Sequence, residues 1–224
     1  MVDVNAQVAA VARSLRDEQI DGDRTFVQTL SQSYPSPIDD VWDAVTSGER
    51  IPRWFTPISG DLRLGGRYQL EGNAGGEVLE CAPPDDGRAH YRVTWEYGGG
   101  VTWLVVRLAA TGDEETTVEL EHTSRESDIP PGFWDQFGPG ATGVGWDGGM
   151  LGLALHLSTG SDFNPEAAES WAFTDEGRAF YRGAADAWRD AHVAAGGDPD
   201  AAARASDATF GFYTGQSADE APES

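Results

Sequence analysis

Lysine is missing from this chain: all 15 basic residues are arginine, set against 38 Asp and Glu, for a formal net charge of −23. So little positive charge excludes whole classes of partner. Nucleic-acid binding needs a basic footprint on phosphate, and this surface repels phosphate. Anionic membrane surfaces are disfavoured for the same reason. Cysteine is scarce as well. The single Cys81 rules out an internal disulfide framework, and four scattered histidines give no zinc-type spacing. Long hydrophobic runs are also lacking, since none reaches the roughly 18 residues that a membrane span requires. The N-terminus, "MVDVNAQVAAVARSLRDEQ", carries acids where a signal peptide has a basic stretch and an apolar core. The expectation is a cytoplasmic protein with no metal, no cofactor and a solvated acidic surface.

What is present suffices for a core: 39% of residues are hydrophobic and 10% aromatic. One domain with attached helices is the natural reading. Val4, Val8, Val11 and Leu15 recur at helical spacing, which predicts an amphipathic helix within residues 1–22, running to about Glu18. "DGD" breaks it. "RTFVQTLSQSY" then reads as a first strand. In "SPIDDVWDAVTSGER", Ser36 is placed as N-cap and Pro37 as first helical residue, with Asp39 and Asp40 favourable to the helix dipole. Ile38, Val41, Trp42 and Val45 form its buried stripe, and "ERIPRWF" follows as a second short helix.

From Gly65 the period changes to two. "RYQLEG" and "GEVLEC" flank the turn "NAGG". In "RAHYRVTWEY", Ala89, Tyr91, Val93, Trp95 and Tyr97 share one face. "VTWLVVRLA" and "TTVELEHTS" complete a meander in which Val118, Leu120 and His122 lie opposite Glu119 and Glu121. Such alternation predicts an antiparallel sheet with one covered and one wet face. The side taken by Trp103, on a strand face with Val101, Val105 and Arg107, stays open.

The stretch "FGPGATGVGWDGGMLGLALHL" contains a contradiction. Trp146, Met150, Leu153 and Leu157 make a helical stripe from about Thr142 onward, yet Gly145, Gly149 and Gly152 line up with His156 on a separate face. Each glycine costs about 1 kcal/mol relative to alanine in a helix interior. Bare backbone in a row implies close packing or room for a ligand. Beyond Gly160, Phe180, Trp188, Phe210 and Tyr213 are too apolar for a free tail, so the last helices are expected to dock on the domain or on a second subunit. "GQSADEAPES" reads as an acidic, disordered tail.

This order of elements resembles the SRPBCC superfamily (START, Bet v 1 and polyketide cyclase relatives). More narrowly it resembles the bacterial group similar to the C-terminal domain of activators of Hsp90 ATPase. The resemblance rests on "YPSPIDDVWDAVT", "RWF", "LRLGGRY", "VTWEY", "VELEH" and "GVGWDGGMLGL". It implies an α+β helix-grip fold, in which a curved antiparallel sheet wraps a long C-terminal helix. The division it suggests is an N-terminal helix 1–22, the domain 23–160, a helical extension 161–214 and a tail 215–224.

The resemblance also implies a cavity between sheet and helix that holds a small apolar molecule. The candidate lining is Trp54, Phe55, Tyr68, Trp95, His122, Phe133, Trp146 and Met150, since such sites combine apolar walls with a few polar anchors. Trp103 and Trp134 are further aromatics available for it. Aromatics that simply fill a core are the plainer reading. Two rivals accompany the ligand reading. One is a protein-interaction module stimulating an Hsp90-type chaperone, with a homodimer as a further possible assembly. The other is a cyclase-, dehydratase- or hydrolase-like enzyme using the same cavity.

For catalysis the best single candidate is His122, as a general base or hydrogen-bond anchor. Against that stands a buried histidine satisfied by a backbone carbonyl, which is preferred because spacing ties no nucleophile or carboxylate to it. Glu96, Glu119, Glu121 and Asp147 are candidates for an acid–base pair, although Glu119 and Glu121 fall on the wet face. "GGR" and "GGG" read as turns, not as phosphate loops. Cys81 is placed at a strand end as an inert thiol. No catalytic residue is assigned.

Overall fold

A computed structural model describes residues 3–20, 22–160, 162 and 164–216. The period-two segments form one antiparallel sheet of eight strands: β1 (Ala12–Ile20), β2 (Asp23–Tyr34), β3 (Ile58–Gly60), β4 (Arg67–Leu70), β5 (Gly75–Asp85), β6 (Arg88–Tyr97), β7 (Gly100–Gly112) and β8 (Glu115–Arg125). Their spatial order is β1-β2-β8-β7-β6-β5-β4-β3. Register sets the two faces. Leu104, Val106 and Leu108 sit opposite His122, Leu120 and Val118, and Leu30 sits opposite Leu120, so one face is continuously apolar. On the other face Arg107 pairs with Glu119 and Glu121 at 3.0 and 3.4 Å. Trp103 belongs to that outer face, with the Arg125 guanidinium 4.6 Å from its ring centre.

Helices cover the apolar face: α1 (Val4–Ala10), α2 (Ile38–Thr46), α3 (Phe133–Phe137), α4 (Gly140–Thr159), α5 (Pro165–Ala172), α6 (Asp175–Ala194) and α7 (Pro199–Thr214). The long helix α4 is tied down at two points. Gln28 Nε2 donates to the Pro139 carbonyl at 2.7 Å, and the Tyr34 hydroxyl donates to the Met150 carbonyl at 3.2 Å. At α2 the cap differs from expectation by one residue. Pro37, with extended backbone, is the N-cap, while Ser36 Oγ donates to Asp40 Oδ2 at 2.6 Å instead of capping a backbone N–H.

The N-terminal segment corrects the sequence reading. The helix stops at Ala10, and the residues expected to continue it form the edge strand β1, paired with β2. Residues 1–22 are therefore not a separate helix. Val11, Arg13 and Leu15 alternate onto the covered face, and nine backbone pairings outweigh helix-propensity differences of a few tenths of a kcal/mol per residue.

The C-terminal helices dock on the domain. Trp188 (0% exposed) and Ala184 of α6 belong to the same hydrophobic cluster as the sheet and α4, and Tyr213 of α7 donates its hydroxyl to the Ala141 carbonyl at 2.6 Å. The glycines of α4 explain this closeness. A β-carbon at Gly143 would overlap the Trp188 ring, and one at Gly152 would overlap the Trp54 carbonyl. The tail read at 215–224 lies, from residue 217, outside the described residues. No described helix is long and apolar enough to cross a membrane.

Candidate ligand-binding cavity

Between α4, the covered face of β4 to β8, and the short turn Ile51–Arg53 lies a cavity of about 130 Å³. Trp146, Met150 and Leu153 supply one wall from α4, and Trp54 and Phe55 supply another. Gly149 borders it too: a β-carbon there would make ordinary contact with the Phe55 ring at 3.8 Å and with Trp146 at 4.0 Å. Tyr68, Tyr91, Val93 and Trp95 close the sheet side. Among the described residues, no Asp, Glu, Arg or His side chain borders the cavity.

Most polar groups on the wall are already engaged. Trp54 Nε1 donates to the Ala44 carbonyl at 2.8 Å, the Tyr68 hydroxyl to the Thr94 carbonyl at 2.7 Å, and Thr46 Oγ1 to the Trp42 carbonyl at 2.6 Å.

His122 stands behind this wall, not in it. It is 4% exposed, accepts from Trp146 Nε1 through Nδ1 at 3.0 Å, and meets Thr102 Oγ1 through Nε2 at 2.7 Å. An indole N–H can only donate, so Nδ1 is the acceptor and the proton sits on Nε2. Nε2–H then donates to Thr102, whose own hydrogen goes to the Trp95 carbonyl at 3.1 Å. Burial lowers the imidazole pKa to about 4, which keeps it neutral at pH 7. Both ring nitrogens are occupied, so His122 has no free lone pair for a base. Its role is to orient Trp146, and its partners are side chains where a backbone carbonyl was expected.

Of the eight residues read as lining, Trp54, Phe55, Tyr68, Trp95, Trp146 and Met150 border the cavity. Phe133 does not. It opens α3, is 37% exposed and packs on Phe137 with ring centres 5.0 Å apart. The left-handed Gly132 at its N-cap starts a helix whose end is held by Thr209 of α7, and this carries Phe133 away from the sheet. Trp134 stacks on Phe26 and Trp103 faces outward, so neither contributes. Tyr91 and Cys81 are among the lining residues that escaped the sequence reading. Tyr91 shares the strand face of Val93 and Trp95, a signal that was available. Cys81 is not at a strand end: it lies within β5, past a register shift, directly opposite Tyr91, and is exposed at the cavity.

The candidate carboxylates are dispersed. Glu119 and Glu121 pair with Arg107 outside, and Glu96 accepts from Arg67 at 2.6 Å. Asp147 is fully buried and gripped by Arg13 through both carboxylate oxygens, with Trp188 Nε1 donating to Oδ2 at 2.9 Å. Burial pushes its carboxyl above the ordinary value against the pull of Arg13 and Trp188. A second, open groove of about 670 Å³ lies on the outer sheet face beside Arg92, Trp103 and Arg107. Glutamates already pair with both of those arginines.

A family model described as "Activator of Hsp90 ATPase homolog 1-like protein" matches residues 35–147, half of the chain. The chain belongs to this family. In this activator-like chain the matched segment runs from α2 through the cavity-bearing strands into α4, while β1 and the C-terminal helices lie outside it. The crystal structure of CalU16 from Micromonospora echinospora is similar, with 29% identity, TM-score 0.61, and coverage of 82% of this chain and 97% of that one. The solution structure of CalU16 gives 26% identity and TM-score 0.60 over 92% and 94% of the two chains. EF2215 from Enterococcus faecalis, a conserved protein of unknown function, shares the fold at 16% identity and TM-score 0.54, over 80% and 91%. No curated protein matches the chain. The SRPBCC resemblance and the helix-grip fold both hold.

Proposed function

We propose that this protein binds a small, largely apolar molecule in the cavity between the sheet and α4. The observation that carries the reading is the cavity itself. Protein interiors pack with few voids larger than water, so an apolar space of about 130 Å³ kept beneath α4 departs from ordinary core packing. An apolar cavity of roughly 150 Å³ is enough to admit benzene, so this one has room for a single ring. Its wall is also braced: the chain from Trp146 through His122 and Thr102 to Trp95 fixes two of its tryptophans.

The family description supports a second reading, stimulation of an Hsp90-type ATPase, which would act through the surface and leave the cavity idle. An enzyme reading lacks an acid–base pair at the cavity. Titration calorimetry with p-xylene separates the first two. Saturable one-to-one binding, lost when Met150→Trp fills the space, is the expected result. No binding by the native chain, together with stimulated ATPase turnover of a purified Hsp90, would replace the ligand reading with the interaction module.

A further inference from the structure

The Tyr91 hydroxyl stands apart among the polar groups of the cavity wall. The hydroxyls of Thr46 and Tyr68 and the indole N–H groups of Trp54 and Trp146 are all spent on protein acceptors. Tyr91 and the Trp95 indole have no hydrogen bond among the described residues. An indole N–H only donates, whereas a phenol both donates and accepts. Burial raises the Tyr91 pKa above that of an ordinary tyrosine, so the group stays a neutral phenol. Its ring is held edge-on to Trp42, with centres 6.3 Å apart, and it faces the exposed Cys81 across the β5–β6 pair. Tyr91 thus brings a hydroxyl without a protein partner to the same sheet wall as the exposed Cys81, while Trp146 and Met150 wall the cavity from α4.

We infer that Tyr91 anchors the ligand, which is an uncharged, single-ring-sized molecule carrying one hydrogen-bonding oxygen, such as a phenol, alcohol or ketone. This rests on the ligand reading above. The Tyr91 hydroxyl is half-buried and has no protein partner, so a ligand oxygen can take the hydrogen bond that solvent otherwise makes there. No cation borders the cavity to compensate a carboxylate or phosphate, so charged ligands are excluded by desolvation.

The test compares p-cresol with the near-isosteric p-xylene, and with benzoate, on the full chain. The native protein is expected to bind p-cresol more tightly than p-xylene and not to bind benzoate. Tyr91→Phe should weaken p-cresol about 2- to 10-fold, as loss of one hydrogen bond does, and leave p-xylene unchanged. Tyr97→Phe, which removes an exposed hydroxyl outside the cavity, should leave the preference intact. Equal loss of both probes in Tyr91→Phe, an unchanged preference there, or a preference erased by Tyr97→Phe would overturn the anchor while cavity binding stands. A native chain that binds neither p-cresol nor p-xylene would overturn the cavity reading as well.

Discussion

Trp146 donates its indole N–H to His122 Nδ1 at 3.0 Å, and the same indole walls the cavity. The histidine that looked most like a catalytic base is thus committed to holding an aromatic wall, and its neutrality is a condition of the fold. Burial takes its pKa from 6.5 to about 4. Between those values the unfolded chain binds a proton that the folded chain refuses. Stability is therefore fully present above about pH 6.5 and falls as pH drops towards 4, by roughly 3 kcal/mol over the window. His192, also lowered by burial, acts in the same direction. Urea unfolding of the native chain and of His122→Gln at pH 7 and pH 4.5 isolates the His122 part. The native chain should lose about 2–3 kcal/mol more than the variant. Parallel losses would mean that the buried imidazole is protonated in the fold.

Arg13 and Asp147 join the N-terminal strand to the long helix, and Trp188 brings α6 to the same carboxylate. Both charged side chains are nearly or fully buried, at 5% and 0% exposed. Removing one partner strands the other. Arg13→Met should cost about 3–5 kcal/mol, and Arg13→Met with Asp147→Leu should recover a large part of that, less the lost Trp188 hydrogen bond. Denaturant midpoints of the three proteins give the comparison. A single-variant cost below about 1 kcal/mol would show that water reaches the pair.

The sheet and the inward-facing lining were legible because both follow from a two-residue period. Val118, Leu120 and His122, and likewise Tyr91, Val93 and Trp95, can each be placed on one face from alternation alone. The strand β1 was hidden. "ARSLRDEQI" is made largely of good helix formers with charges at almost every second position, and only its pairing with β2 makes it a strand. Without β1, the Arg13–Asp147 pair, separated by 134 residues, has no sequence signature. Phe133 was misplaced because composition gives an aromatic its appetite for burial and not its address. The register shift in β5 moved Cys81 to the cavity, and no local pattern announces a bulge of that kind.

The α4 glycines divide into those that must be glycine and those that need not be. Gly143 is seated on the Trp188 ring, whereas a β-carbon at Gly148 would meet nothing within 4 Å. Gly143→Ala is expected to destabilise by about 1–3 kcal/mol through overpacking, and Gly148→Ala to stabilise by up to about 1 kcal/mol through helix propensity. Thermal melts of both variants decide it. Stabilisation by Gly143→Ala would mean that α6 is not docked on α4 in solution.

Cys81 is the sole thiol of the chain, is exposed, and borders the cavity opposite Tyr91. It therefore reports on the cavity mouth without any engineered label. A thiol reagent reaches Cys81 from solvent at a rate set by access, and a molecule held by Tyr91, directly opposite Cys81 in the β5–β6 pair, is expected to restrict that access. Saturating p-cresol should slow modification several-fold in the native chain. Met150→Trp, which fills the cavity and binds no probe, should react at one rate with or without p-cresol. The reciprocal effect follows by linkage: a chain already modified at Cys81 should bind p-cresol more weakly, because the mouth is then partly blocked. If p-cresol binds one-to-one and the thiol still reacts at the unliganded rate, entry lies elsewhere, and the Tyr91 end is not the mouth.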